Sequence, residues 1–108
     1  MRSFRIGMLC ALASLALGCL TVGHEFDVAQ VPQLEIGVTQ RDDVRRLLGE
    51  PWRTGIEDGL PTWTYGHYRY SVFSPAQTRD LVIRYDAAGV VRSYGFNSTY
   101  AADRTLGR

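Results

Sequence analysis

The chain has 108 residues, with 12 arginines, no lysine and 11 acidic residues. Without Arg2 and Arg5, which precede the first apolar run, 10 arginines stand against 11 acidic residues. This near-neutral balance, with no basic run, gives no reason to expect nucleic acid as a partner. It also excludes attraction to anionic lipid by charge alone. A folded part of about 80 residues is too short for two domains.

The first predicted element is a secretory signal peptide over residues 1–18. A basic start leads into an uncharged, mostly apolar run over residues 6–17, and small Gly18 then precedes Cys19. The apolar run is too short to cross a hydrocarbon core of about 30 Å as a helix. A cysteine directly after the small residue resembles the lipobox of bacterial lipoproteins. The alternative is an ordinary secretory signal in which Cys19 has no role.

The lipobox resemblance implies cleavage before Cys19 and a lipid-modified cysteine carrying fatty acyl chains such as palmitate. Each buried methylene contributes about 0.8 kcal/mol, and two or more chains anchor a protein stably. Leu20, where an aspartate usually retains a lipoprotein at the inner membrane, favours the outer membrane. Residues 19–25 are predicted to be a tether. Cys10 leaves with the leader, so the mature domain has no disulfide.

The domain itself is predicted over residues 26–100, and it begins with a short helix within residues 26–34. Asp27 is a natural cap for that helix, and apolar residues recur in it at helical spacing. Pro32 prevents a longer helix unless it falls in a first turn.

A second helix is predicted from about Gln40 to Leu48. Thr39 is the expected N-cap, with Asp42 three residues on as its capping-box partner. Gly49 supplies the left-handed position at the helix end, and Pro51 prevents continuation.

The rest of the domain predicts three strands, over residues 62–73, 79–85 and 90–97. Turns are expected at residues 74–78 and 86–89, because they contain Pro75 and Gly89 respectively. The segment over residues 52–61 is predicted to be a loop, and residues 101–108 a flexible tail.

The predicted fold class is α+β, with two N-terminal helices packed on a three-stranded antiparallel β-meander (ααβββ). Trp63 and Tyr65 share one face of the first strand, whereas Tyr68 and Tyr70 have the opposite parity. A one-residue bulge at Gly66 is expected to return all four aromatic side chains to one face.

Reactive groups are too few for catalysis. His24 and His67 have no metal-ligating companion at useful spacing, and His67 is expected at an edge or on the surface. The serines lack the context of a nucleophile elbow. We therefore predict a protein that is not an enzyme, with no catalytic, metal or cofactor site. A buried cluster of His67 with acidic groups would contradict this prediction.

Two aromatic segments are candidate partner-binding surfaces. The loop after the second helix places Trp52, Arg53 and Ile56 where solvent is expected, and Trp and Arg are frequent interface anchors. Tyr68, Tyr70 and Phe73, near the end of a strand, form the second segment. For both segments the alternative is that the aromatic side chains fold back over the core.

The order of the motifs resembles the SmpA/OmlA (BamE-like) outer-membrane lipoprotein family over residues 34–97. The motifs are Ile36-Gly37-Val38-Thr39, Leu47-Leu48-Gly49-Glu50-Pro51, Trp63-Thr64-Tyr65, Leu81-Val82-Ile83-Arg84-Tyr85-Asp86 and Gly89-Val90-Val91. The resemblance implies two helices on a three-stranded antiparallel sheet, in a lipoprotein that faces the periplasm. It also makes Thr64 a candidate contact residue, because the family has an exposed aromatic residue there that contacts lipid and partners.

The leading functional hypothesis is a non-enzymatic accessory in envelope or β-barrel outer-membrane protein assembly. As the resemblance implies, its partners would be β-barrel assembly subunits and, through acylated Cys19, membrane lipid. The alternative is a periplasmic inhibitor or ligand-binding module, because the predicted arrangement resembles the repeated unit of β-lactamase inhibitor proteins.

Overall fold

The computed structural model describes residues 18–103. The predicted signal peptide, apart from Gly18, lies outside the described residues, as do residues 104–108 of the predicted tail. Among residues 18–103, no helix combines the length and the apolar character that crossing a bilayer requires.

Five strands and one α-helix make up the described part of the chain. The strands are β1 (Cys19–Gly23), β2 (Arg53–Glu57), β3 (Leu60–Ser71), β4 (Ser74–Tyr85) and β5 (Val91–Ser98). The α-helix, α1, is Arg41–Leu48, and short 3-10 helices are formed by Val28–Gln33 and Ala101–Asp103.

The sheet is antiparallel throughout and is built around β3. Strand β4 pairs with one edge of β3, and β5 pairs with the far edge of β4. The other edge of β3 is shared, since β2 pairs with its first half and β1 with its second half. Residues 19–23, within the segment that the sequence analysis assigned to the tether, thus form a strand of the sheet.

The predicted ααβββ fold is therefore wrong in both of its layers. The first helix is a single 3-10 segment with Pro32 inside it, because a proline has no N–H to donate to an α-helical ladder. The sheet has five strands rather than three. One of the added strands, β2, comes from the predicted loop, because Asp58 and Gly59 have φ of 52° and 76° and close a tight hairpin with β3.

Helix α1 ends where the sequence predicts, at Gly49, whose φ is 81°. Its start differs by one residue. Gln40 is the N-cap, and Asp43 accepts a hydrogen bond from the Gln40 N–H at 3.1 Å. Thr39 is buried one residue earlier, where its Oγ1 accepts a hydrogen bond from the Glu35 N–H at 2.8 Å. Thr39 therefore closes the turn before the helix instead of capping it.

The core lies between α1, the first 3-10 helix and one face of the sheet, which we call the inner face. Trp63 packs edge-on against Tyr85, with ring centroids 5.1 Å apart. Burying large aromatic rings supplies much of the stability of a small domain without disulfides. The buried apolar residues are Val31, Leu34, Val44, Leu48, Trp63, Tyr65, Leu81, Ile83, Tyr85 and Val91.

Strand β3 passes through Gly66 without a bulge. Gly66 pairs regularly with Asp80, and the one irregularity in the β3–β4 ladder lies between Arg69 and Ser71. Since side chains alternate along a strand, Tyr68 and Tyr70 point to the face opposite Trp63 and Tyr65. The prediction that a bulge brings all four aromatic side chains to one face is therefore wrong. Tyr68 and Tyr70 lie on the face that α1 does not cover, which we call the outer face.

Candidate partner-binding site

The candidate site lies on the outer face of the sheet, around Gly66 of β3. Trp52, directly before β2, lies across this face, and its ring centroid is 5.6 Å from that of Tyr68, with the ring planes at 58°. The Arg53 guanidinium carbon lies 4.1 Å from the Trp52 ring centroid. We call this arrangement the Arg53–Trp52–Tyr68 stack. An aromatic pair of this kind contributes about 0.5–1.5 kcal/mol beyond its buried area.

Glycine at position 66 makes room for the stack. A Cβ at this position would lie 2.8 Å from Tyr68 Cε2 and 3.0 Å from Trp52 Cε3. Both rings therefore rest directly on the backbone of β3, and any larger residue would push them away. Gly66 therefore leaves space for the two rings, and it does not form the predicted bulge.

The site has one acidic group beside its cation. Asp80 lies opposite Gly66 in the ladder, and burial raises the pKa of its carboxyl group. The pKa of Tyr68 is also raised, chiefly by burial and further by the Asp80 charge, while Arg53 acts in the opposite direction. A partner that covers this surface thus meets an aromatic centre flanked by a cation and a carboxylate.

The outer face continues from the stack towards the turn between β3 and β4. Tyr70 is 44% exposed, and Leu20 opposite it on β1 is 60% exposed. Val22, which is also on β1, lies opposite Tyr68 of β3. Since these residues share the parity of Tyr68, they extend the apolar surface along the outer face.

The structure brings together five of the six residues that the sequence analysis nominated. Arg53 stands opposite Thr64 in the β2–β3 ladder, so Thr64 borders the stack. Ile56 is the exception. It pairs with Pro61, has the parity of the inner face and is 80% exposed. The nominated residues on the outer face are Trp52, Arg53, Thr64, Tyr68 and Tyr70.

Cys19, the predicted lipid-modified residue, is an exposed free cysteine at the first position of β1. It lies opposite Ser71, the last residue of β3. On the inner face, Cys19 borders an open groove whose lining includes His24, His67 and Arg69.

One of the two histidines in this groove, His67, lies near an acidic group. His67 is buried, at 9% exposure, so its predicted place at the surface is wrong. Its Nε2 lies 4.0 Å from Oε1 of Glu25, whose own side chain is exposed. Within residues 18–103, no group of three or more His, Cys, Asp or Glu side chains is arranged to hold a metal ion. Among the described residues, the groove therefore places one histidine near one carboxylate, at the long end of the distance range for such a contact.

Sequence reasoning missed three features of this site: the space at Gly66, the acidic group of Asp80 and the contribution of Leu20. One available signal was overlooked. The Asp58-Gly59 dipeptide is a strong hairpin signal, and it predicts β2 and hence the position of Trp52 beside β3. Without that hairpin, neither the Trp52–Tyr68 contact nor its Gly66 platform can be derived.

The comparisons with known proteins give a family assignment. The family model described as the outer membrane protein assembly factor BamE domain matches residues 23–95. No curated protein matches the chain. The matched region spans β1's last residue to the middle of β5, and so includes the whole Arg53–Trp52–Tyr68 stack. The chain therefore belongs to the BamE family, a family of non-catalytic outer membrane protein assembly factors.

Proposed function

We propose that this protein is a lipid-anchored outer-membrane accessory of β-barrel assembly, which docks an assembly subunit on the Arg53–Trp52–Tyr68 stack. In this proposal the signal peptide is removed before Cys19, the cysteine is acylated, and the domain faces the periplasm. The observation that carries the proposal is the partly exposed stack on the uncovered face of a domain that belongs to an assembly-factor family.

The composition of the stack supports a binding role. Trp, Tyr and Arg are the residue types most often found to dominate binding energy at protein interfaces. Here they are held in place before any partner arrives, because Trp52 and Tyr68 rest on Gly66 and Arg53 lies over Trp52. Side chains ordered in advance lose less conformational entropy on binding.

Anchoring to the membrane explains how a small contact surface is sufficient for binding a partner. A protein confined to a membrane is concentrated near other membrane proteins, so weak contacts become effective through raised local concentration. The family match favours assembly over the alternative of a periplasmic inhibitor, because it connects the domain with outer-membrane protein assembly.

Co-purification from detergent extracts of the native membrane tests the proposal. The tagged wild-type chain should recover at least one β-barrel assembly subunit. The double substitution Trp52→Ala with Tyr68→Ala should lose most of that recovery, because a hot spot of about 2 kcal/mol corresponds to roughly 30-fold weaker binding.

Ile56→Ser is the matched control, since Ile56 is an equally conspicuous apolar residue of β2 that lies outside the stack. It should retain the partner. Recovery of no assembly subunit by the wild-type chain would overturn the proposed function. Equal recovery by the double variant would overturn the role of the stack.

A further inference from the structure

The turn that joins β3 to β4 consists of Val72 and Phe73, and both are strongly exposed. Val72 is 76% exposed and Phe73 is 91% exposed. Two-residue hairpin turns favour Gly, Asn and Asp, because those residues adopt the required backbone angles easily. Neither the turn geometry nor the core therefore accounts for a β-branched residue and an aromatic residue at this position.

The turn lies beside the proposed lipid anchor. Cys19 pairs with Ser71, the residue directly before the turn. Directly opposed residues of an antiparallel pair are separated by about 4.5–5.5 Å between Cα atoms. No length of free chain thus separates the cysteine from the turn, so acyl chains on Cys19 would enter a bilayer next to Phe73.

This end of the molecule is also nearly free of charge. Residues 18–23 and 70–78 contain no charged side chain. The charged residue nearest to these segments in the sequence is Arg69, which borders the groove beside Cys19. This end of the molecule lacks acidic groups and has one arginine at its margin. It therefore suits contact with a bilayer, whose apolar interior is bordered by phosphate groups.

We propose that Val72 and Phe73 insert into the membrane beside acylated Cys19, so that the hairpin turn is a second point of contact with the bilayer. This inference rests on the proposed acylation of Cys19. The occupant of the exposed apolar turn is the lipid itself. Two contacts on adjacent strands fix the orientation of the domain, whereas acyl chains alone leave it free to rotate.

A fixed orientation places the partner site at a set height. At a rise of about 3.3 Å per residue along β3, Tyr68 lies about 10 Å from Ser71 and Gly66 about 17 Å from it. The Arg53–Trp52–Tyr68 stack is then held close above the membrane surface, where it meets the periplasmic part of a membrane-bound partner.

The test uses the full chain, processed in its own cell envelope and reconstituted in phosphatidylcholine vesicles. If Cys19 is acylated and Cys10 is removed, the mature protein has no free thiol, since the sequence has two cysteines. Phe73→Cys then provides a single site for a polarity-sensitive fluorophore. Ile56→Cys is the matched control, because Ile56 is 80% exposed on a strand away from the turn.

The expected result is blue-shifted emission that brominated lipids quench at position 73, with neither effect at position 56. Emission at position 73 that resembles position 56, in a chain whose mass shows acyl chains, would overturn the inference and leave the anchor intact. Mass spectrometry that finds Cys19 unmodified would overturn the anchor, and the inference with it.

Discussion

Cys19 and Ser71 face each other across the β1–β3 ladder, where β1 begins and β3 ends. The residue proposed to carry lipid is therefore part of the sheet and not the end of a loose linker. A lipid on Cys19 would therefore be attached to the strand that pairs directly with β3, the strand that carries Gly66 and Tyr68. The position of β1 on the edge of β3 is thus the structural basis for the proposed membrane orientation.

The first prediction concerns the glycine that lets β1 approach β3. Gly23 has φ of 85°, and a Cβ there would lie 2.1 Å from the Gly66 carbonyl oxygen. Gly23→Ala should therefore separate β1 from β3, because backbone atoms cannot yield as a side chain can. Amide hydrogen exchange should show loss of protection in residues 19–23. Gly37→Ala is the control, since Gly37 also has positive φ but open space around it, and protection of β1 should be unchanged.

The second prediction tests the platform beneath the stack. In Gly66→Ala the added methyl group should displace the ends of the Trp52 and Tyr68 side chains while leaving the strand intact. Near-ultraviolet circular dichroism should change, and recovery of the assembly partner should fall. Gly95→Ala, on the same outer face but in open space, should change neither. Equal partner recovery by both variants would show that the stack geometry is unimportant for binding.

The third prediction concerns the bond between helix and sheet. The Tyr65 hydroxyl donates a hydrogen bond to the Gly49 carbonyl at the end of α1, at 2.8 Å. Tyr65→Phe removes the donor and should lower the free energy of unfolding by about 1 kcal/mol. Urea denaturation measures the change. Tyr70→Phe, on the exposed outer face, should stay within about 0.5 kcal/mol of wild type.

The fourth prediction is a pH dependence at the C-terminal end of the described chain. Asp103 accepts hydrogen bonds from Arg79 Nη2 at 3.2 Å and from the Ser98 hydroxyl at 2.7 Å. Burial opposes its ionisation, but these bonds and the Arg79 charge outweigh burial and lower the pKa of Asp103 below its ordinary value of 3.8. A carboxyl group with a lowered folded-state pKa stabilises the fold above its unfolded-state pKa.

That stabilisation should therefore be lost as pH falls below about 4 and through the folded-state pKa of Asp103. Asp103→Asn should be less stable than wild type at neutral pH by about 1–3 kcal/mol, and the difference should shrink in acid. Urea midpoints measured from neutral pH to about pH 3 test this. Asp43, whose pKa is lowered by the Gln40 N–H and then by Arg46, is present in both chains, so its contribution cancels. A difference that is constant with pH would contradict the assignment.

Local signals predicted the parts of the fold that they determine. Helix α1 was correct to within one residue because Gly49 and Pro51 end it and its acidic and basic residues match the helix dipole. The turn at residues 86–89 was also correct, since Asp86 accepts hydrogen bonds from the backbone N–H groups of Ala88 and Val90. These features depend on residues close together in the chain.

The two missed strands, β1 and β2, were missed for different reasons. Strand β2 is exposed along its whole length, so no alternation of apolar and polar residues marks it as a strand. Strand β1 pairs with residues far along the chain, from 67 to 71, and its sequence resembles a linker after a signal peptide. The Asp58-Gly59 hairpin signal predicts β2 and the position of Trp52, but no local signal predicts the part of the outer face that β1 completes.

Site-specific photo-crosslinking in living cells tests the central claim most directly. A benzoylphenylalanine at position 64 borders the stack without replacing any member of it, because Thr64 lies opposite Arg53. The same probe at position 56 lies outside the stack. We expect an adduct with a β-barrel assembly subunit from position 64 and none from position 56. The claim would be contradicted if position 64 gave no adduct with any assembly subunit. It would also be contradicted if positions 64 and 56 gave the same adducts.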